Sequence, residues 1–132
     1  MAWSAGAILT AAQLNTYAPQ AWSSWTPTLT AETGGFTLAS ATGRYIAHGK
    51  TIVWQATITI TTAGTAAGAC IFTLPVAAAA VSALGSGREN ASTGAALQVW
   101  TTTGATGRVL RYDNTTAIAN SRTLLVGGSY ES

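Results

Sequence analysis

Six side chains are the raw material for a reactive site in this chain: Glu32, Glu89, Asp113, Glu131, His48 and Cys70. Two carboxylates facing each other across a bond suffice to hydrolyse a glycoside, so Glu32 and Glu89 are the first pair to weigh. Nothing in their spacing puts them on one face of one element. His48, in Ala47-His48-Gly49-Lys50, has no second His or Cys beside it to complete a metal site and reads as a polar turn residue. Cys70 is the only cysteine, so no intrachain disulfide forms, and its setting in Ala69-Cys70-Ile71-Phe72 reads as a small buried hydrophobe rather than a reactive thiol. Arg88-Glu89 reads as a solvated loop pair, and Asp113 as an Asx turn. Gly85-Ser86-Gly87 lacks the third glycine and the helix of a dinucleotide loop.

Charged residues make up 8% of the chain, against about 25% in an ordinary domain. General acid–base chemistry needs titratable groups tuned against one another, and few are present to tune. The expectation is a protein that is not an enzyme, carries no cofactor and no metal, and works by surface contact. Its six scattered basic residues and net charge of +2 make no nucleic-acid footprint. The start of the chain has no basic segment followed by a long apolar one, so no secretory leader is expected. The stretch from Ala66 to Val81 is interrupted by Thr73 and Pro75 and is too short to span a bilayer, so no membrane partner is expected either.

What would position these residues is mostly β-structure. Thr51–Thr62 is the clearest strand: Ile52, Trp54, Ala56, Ile58 and Ile60 alternate with Val53, Gln55, Thr57, Thr59 and Thr61. Further strands are expected over Trp25–Thr30, Gly35–Ala39, Arg44–Ala47, Cys70–Leu74, Val81–Ser86, Ala95–Thr102, Arg108–Tyr112 and Arg122–Val126. Gly-, Asn-, Ser- and Thr-rich turns separate them. Val76–Ala83 is read as strand or loop, although its four alanines favour helix. Many short strands at this spacing read as a mainly β fold, an antiparallel β-sandwich of jelly-roll-like type.

Ahead of the strands, Thr10-Ala11-Ala12-Gln13 has the form of a capping box, with Leu9 and Leu14 placed as a hydrophobic staple. Pro19 stops the helix it opens, giving a helix over residues 11–18 that is too short to stand alone in water. The large apolar residues around it need cover, and part of that cover is expected from another chain. The other tryptophans offer two readings, stacking platforms for sugars or bases and core filling. Trp54 shares its face with three isoleucines, which argues for the core.

Several segments, in order, resemble small virion proteins of tailed phages that infect actinobacteria, of the head-decoration, minor tail or fibre type. They are Ala5-Gly6-Ala7-Ile8-Leu9-Thr10-Ala11-Ala12-Gln13-Leu14-Asn15, Trp25-Thr26-Pro27-Thr28-Leu29-Thr30, Ala41-Thr42-Gly43-Arg44-Tyr45-Ile46-Ala47-His48-Gly49-Lys50-Thr51-Ile52-Val53, Phe72-Thr73-Leu74-Pro75-Val76 and Thr123-Leu124-Leu125-Val126-Gly127-Gly128-Ser129-Tyr130-Glu131. The resemblance covers roughly two thirds of the chain and leaves residues 77–121 aside. It implies a β-sandwich that assembles as a homotrimer, with no catalytic residues to transfer.

Taken together, residues 1–25 are expected to form an anchoring arm and 26–132 a β-sandwich domain. Trp3, Ile8, Leu9, Leu14, Tyr17, Trp22 and Trp25 are the expected interface and anchoring residues. The expected partners are sister copies and the major capsid protein or other virion proteins, and the expected location is the virion, assembled in the host cytoplasm. The leading expectation is a capsid decoration protein. The alternative is a minor tail or fibre module that binds host cell-surface glycan, with Trp100, Tyr112 or Tyr130 in contact.

Overall fold

The computed structural model describes residues 5–17 and 20–132, with Thr16 and Tyr17 described by their backbone alone. Among the described residues, a short helix, α1 (Ala11–Tyr17), precedes nine strands. These are β1 (Ser23–Trp25), β2 (Leu29–Thr33), β3 (Leu38–His48), β4 (Thr51–Thr62), β5 (Ala67–Thr73), β6 (Ala83–Glu89), β7 (Ala96–Trp100), β8 (Thr106–Arg111) and β9 (Arg122–Glu131). The fold is mainly β, and every strand pairing is antiparallel.

Strand β4 organises the sheet. Its Ile52, Trp54, Ala56, Ile58 and Ile60 are all buried, and the residues between them are exposed or half-buried. Each isoleucine taken out of water contributes roughly 1.5–3 kcal/mol. Strand β3 pairs along the whole of β4 through a two-residue turn, Gly49-Lys50, in which Gly49 takes φ 62°. Positive φ at the first central residue is what tight hairpins favour, because it matches the twist of the flanking strands. Strand β9 covers the other edge of β4, from Thr51↔Glu131 to Ile60↔Arg122.

The full order is β1-β3-β4-β9-β6-β7-β8-β5-β2. Four strands separate β4 from β5 in that order, yet the Trp54 and Phe72 rings lie 5.4 Å apart. Trp25 of β1 donates its indole N–H to the Thr73 carbonyl of β5 at 3.0 Å. The sheet therefore curls into a half-barrel around a core that includes Trp54, Phe72, Leu84, Val99, Val109 and Leu124.

The hydrogen bonding departs from the two stacked sheets of the expected jelly-roll-like sandwich, because β9 pairs with both β4 and β6 and makes the ladder continuous. The cause is a set of glycines at the crossing. A Cβ on Gly128 would lie 2.2 Å from the Leu84 carbonyl oxygen, and one on Gly85 2.0 Å from that of Gly127. Only bare backbone lets β6 and β9 approach this closely, and β9 runs on past Val126 to Glu131 by pairing with β4.

Other boundaries move for similar reasons. The expected strands Gly35–Ala39 and Arg44–Ala47 merge into β3, because Gly43 is a recess for the Trp25 ring and not a turn: a Cβ there would sit 2.3 Å from it. Trp25–Thr30 divides into β1 and β2 around the buried Pro27. Val76–Ala83 is mostly irregular, held by Ala78 N–H on the Gly104 carbonyl at 2.7 Å and Ala79 N–H on that of Glu131 at 2.9 Å. Because β1 pairs with β3, the sheet begins at Ser23, and the expected boundary between residues 25 and 26 cuts through it. Helix α1 forms as its cap predicts: Gln13 N–H donates to Thr10 Oγ1 at 3.2 Å and Thr10 N–H to Gln13 Oε1 at 2.9 Å.

Candidate functional site

The segment before β1 contains no Asp, Glu, Lys or Arg, and the first charged side chain of the chain is Glu32. The large apolar residues described there lie largely in solvent. Ile8 is 89% exposed, and Leu9, Leu14 and Trp22 are each about half exposed. Among the described residues, helix α1 makes no extensive packing against any strand. Of the seven expected anchoring residues, these four are exposed. Trp3 and the side chain of Tyr17 lie outside the described residues. Trp25 differs: its ring stands edge-on to Tyr45 and to Trp54, each at 6.3 Å, so the sheet has claimed it for its own core.

On the outer face of the sheet, opposite the core, lies an open trough of about 930 Å³. Register explains it. Ser24, Arg44, Gln55, Gly127 and Ser86 are successive partners across β1, β3, β4, β9 and β6. Gly127 contributes no side chain to this row, which opens the floor. Val53 and Leu125, both partly exposed, flank it together with Thr57 and Ser129. At the rim, the Arg44 guanidinium lies 5.2 Å from the ring centroid of Trp22, a cation–π contact. Gln55, with its amide oriented by this network, accepts from Arg44 Nη2 at 2.6 Å and also from Nε.

The carboxylates are committed elsewhere. Glu89 is only 2% exposed and closes the loop that follows β6. It accepts N–H bonds from Ala91 at 2.7 Å, from Ser92 at 3.1 Å and from Thr93, a hydroxyl bond from Thr93 at 2.8 Å, and Arg122 at 3.4 Å. Burial works to raise its pKa, but the Thr93, Ala91 and Ser92 hydrogen bonds outweigh that and hold it at about 2. The solvated pair expected for Arg88-Glu89 is therefore corrected. Only Arg88 is exposed, because a loop rich in free N–H groups needs an internal anion. Glu32 sits on β2, accepts from Ala69 N–H at 3.0 Å and pairs with Arg108 at 2.8 Å, and both hold it below the usual carboxylate range. The Asp113 carboxylate caps its own turn through Thr115 N–H at 3.1 Å, as an Asx turn does. His48 stands exposed beside the β3–β4 turn. Cys70 is buried, and desolvation pushes its thiol up to about 12.

Of the three aromatic residues offered as glycan contacts, Tyr112 is exposed and Trp100 is half-buried. Tyr130 is buried and donates its hydroxyl to the Val76 carbonyl at 2.6 Å, so it has no face to offer. Sequence reasoning passed over Arg44 and Gln55. The available signal was for Gln55 alone, on the polar face of Thr51–Thr62; Arg44 stood at the start of a separate expected strand, and only the β3–β4 register joins the two. No family model matches the chain, and neither a curated protein nor a solved structure proved similar to it.

Proposed function

We propose that this chain is a non-enzymatic virion structural protein of a tailed phage: a capsid decoration protein that docks on the head as a homotrimer and stabilises it. The observation that carries this reading is the uncharged leader, whose Ile8, Leu9 and Leu14 stay uncovered while the sheet keeps a complete core of its own. A seven-residue helix cannot shelter such residues or persist alone, so neighbouring protein is the cover it calls for. The jelly-roll-like knob of this reading is the curled sheet, and its sparse charge suits permanent symmetric contact. Association of this kind stabilises a shell by mass action. The partners are sister copies and the major capsid protein.

The test is incorporation into particles by full-length protein carrying Leu9→Asp and Leu14→Asp. Loss of incorporation with an unchanged melting temperature supports docking through the leader. Unchanged incorporation overturns it. The second reading, a minor tail or fibre module that contacts cell-surface glycan, is favoured by the Trp22–Arg44 trough. Copy number separates the two: hundreds per particle for decoration, a few for the tail.

A further inference from the structure

We infer that the outer-face trough is a binding site for a saccharide bearing an acidic group, a uronate or a sugar phosphate. The inference concerns the isolated protein and holds for a head or a tail location alike.

The volume of the trough, about 930 Å³, lies within the ~300–1,000 Å³ typical of ligand sites. The groups that line it narrow the ligand class. The trough runs from the edge strand β1 across β3, β4, β9 and β6, and its floor is the outer face of strands bonded to one another. An extended peptide laid across that floor meets backbone groups already paired, not the open edge that strand addition uses. A nucleic-acid strand brings a phosphate at every residue, and Arg44 is the only charged side chain in the lining. What the trough does present is a row of hydroxyl and amide groups from Ser24, Gln55, Thr57, Ser86 and Ser129, with one aromatic ring at its rim. A sugar has that same composition: hydroxyls around its edge and an apolar C–H face that lies on an aromatic plane.

Charge then selects within the class. Arg44 carries the only charge, with no carboxylate among the lining residues to neutralise it. Its guanidinium is held on one side by the Trp22 ring and on another by the Gln55 oxygen. A guanidinium oriented in this way pairs well with a carboxylate or phosphate through its remaining N–H groups. Arg44 lies over one face of the Trp22 ring, and the ring, 46% exposed, leaves further surface free for stacking.

The experiment titrates full-length protein with an oligogalacturonide, a neutral malto-oligosaccharide of equal length, a sugar phosphate and polyglutamate. It follows the indole N–H of Trp22 and the Nε–H of Arg44 by NMR. Shifts at both groups with the oligogalacturonide or the sugar phosphate, and much weaker ones with the neutral sugar and polyglutamate, support the site and tell the two acidic groups apart. Trp22→Ala and Arg44→Gln should each weaken binding by about tenfold, the equivalent of losing ~1.4 kcal/mol, and added salt should weaken it further. Equal binding of the neutral sugar, equal binding of polyglutamate, shifts that map to Trp100 and Tyr112 instead, or no binding at all would each overturn the inference. The wild-type shift map keeps the test valid if a variant folds poorly.

Discussion

Strand β4 and the leader ahead of β1 both carry large apolar side chains, and they meet opposite fates. Ile52, Trp54, Ile58 and Ile60 are buried, whereas Ile8 is 89% exposed. The difference is company. β4 has a strand bonded along each edge, and the curl of the sheet lays β5 over its inner face. The leader has a seven-residue helix opened by a capping box, and its described residues meet the sheet mainly through Trp22 on Arg44. Apolar composition states a demand for cover, and topology decides whether the same chain meets it.

The contrast breaks first, and by the most, at the two tryptophans. Trp54→Ala removes a buried ring and leaves the Leu84 carbonyl without its indole donor at 3.1 Å. The expected cost is about 3–5 kcal/mol in urea denaturation. Trp22→Ala should stay within about 0.5 kcal/mol, as exposed positions usually do. Similar losses at both sites would mean that the leader side is part of the core after all.

The second break concerns Glu89. Glu89→Gln keeps the shape but removes the charge that receives the loop's N–H groups, with an expected loss of about 2–3 kcal/mol. The folded pKa is held at about 2, below the ordinary 4.5. The contribution of Glu89 is therefore complete above pH 4.5 and disappears as pH falls toward 2. The variant should lose that part of the acid dependence, and an unchanged acid profile would remove Glu89 from the account. A smaller loss, about 1–3 kcal/mol, is expected for Gly128→Ala, whose Cβ would press on the Leu84 carbonyl.

Local signals were legible in the sequence. The β4 bounds follow from strict alternation, the start of α1 follows from its cap, and burial of Cys70 follows from its apolar neighbours. What escaped depends on contacts between distant residues. Gly43 and Gly128 look like strand breakers, and only the arrival of Trp25 and Leu84 makes them requirements. Glu89 looks solvated until the 91–93 loop folds over it. The trough was hidden for the same reason: Arg44 and Gln55 are eleven positions apart and become partners only through the β3–β4 register.

The smallest expected effect on folding is the one that separates the two regions most sharply. Leu9→Asp with Leu14→Asp places two charges on side chains already half in water. No core contact is lost, so the melting temperature should move by less than about 0.5 kcal/mol of stability allows. Self-association is another matter. If sister copies cover the leader, each Asp enters an interface with no base in the leader to pair with it, since that segment is free of Lys and Arg. Burying an unpaired carboxylate costs several kcal/mol, enough to dissolve a trimer at micromolar concentration. Sedimentation of wild type and variant at matched concentrations reads this directly. A wild type that sediments as one subunit at every concentration would overturn the proposed homotrimer.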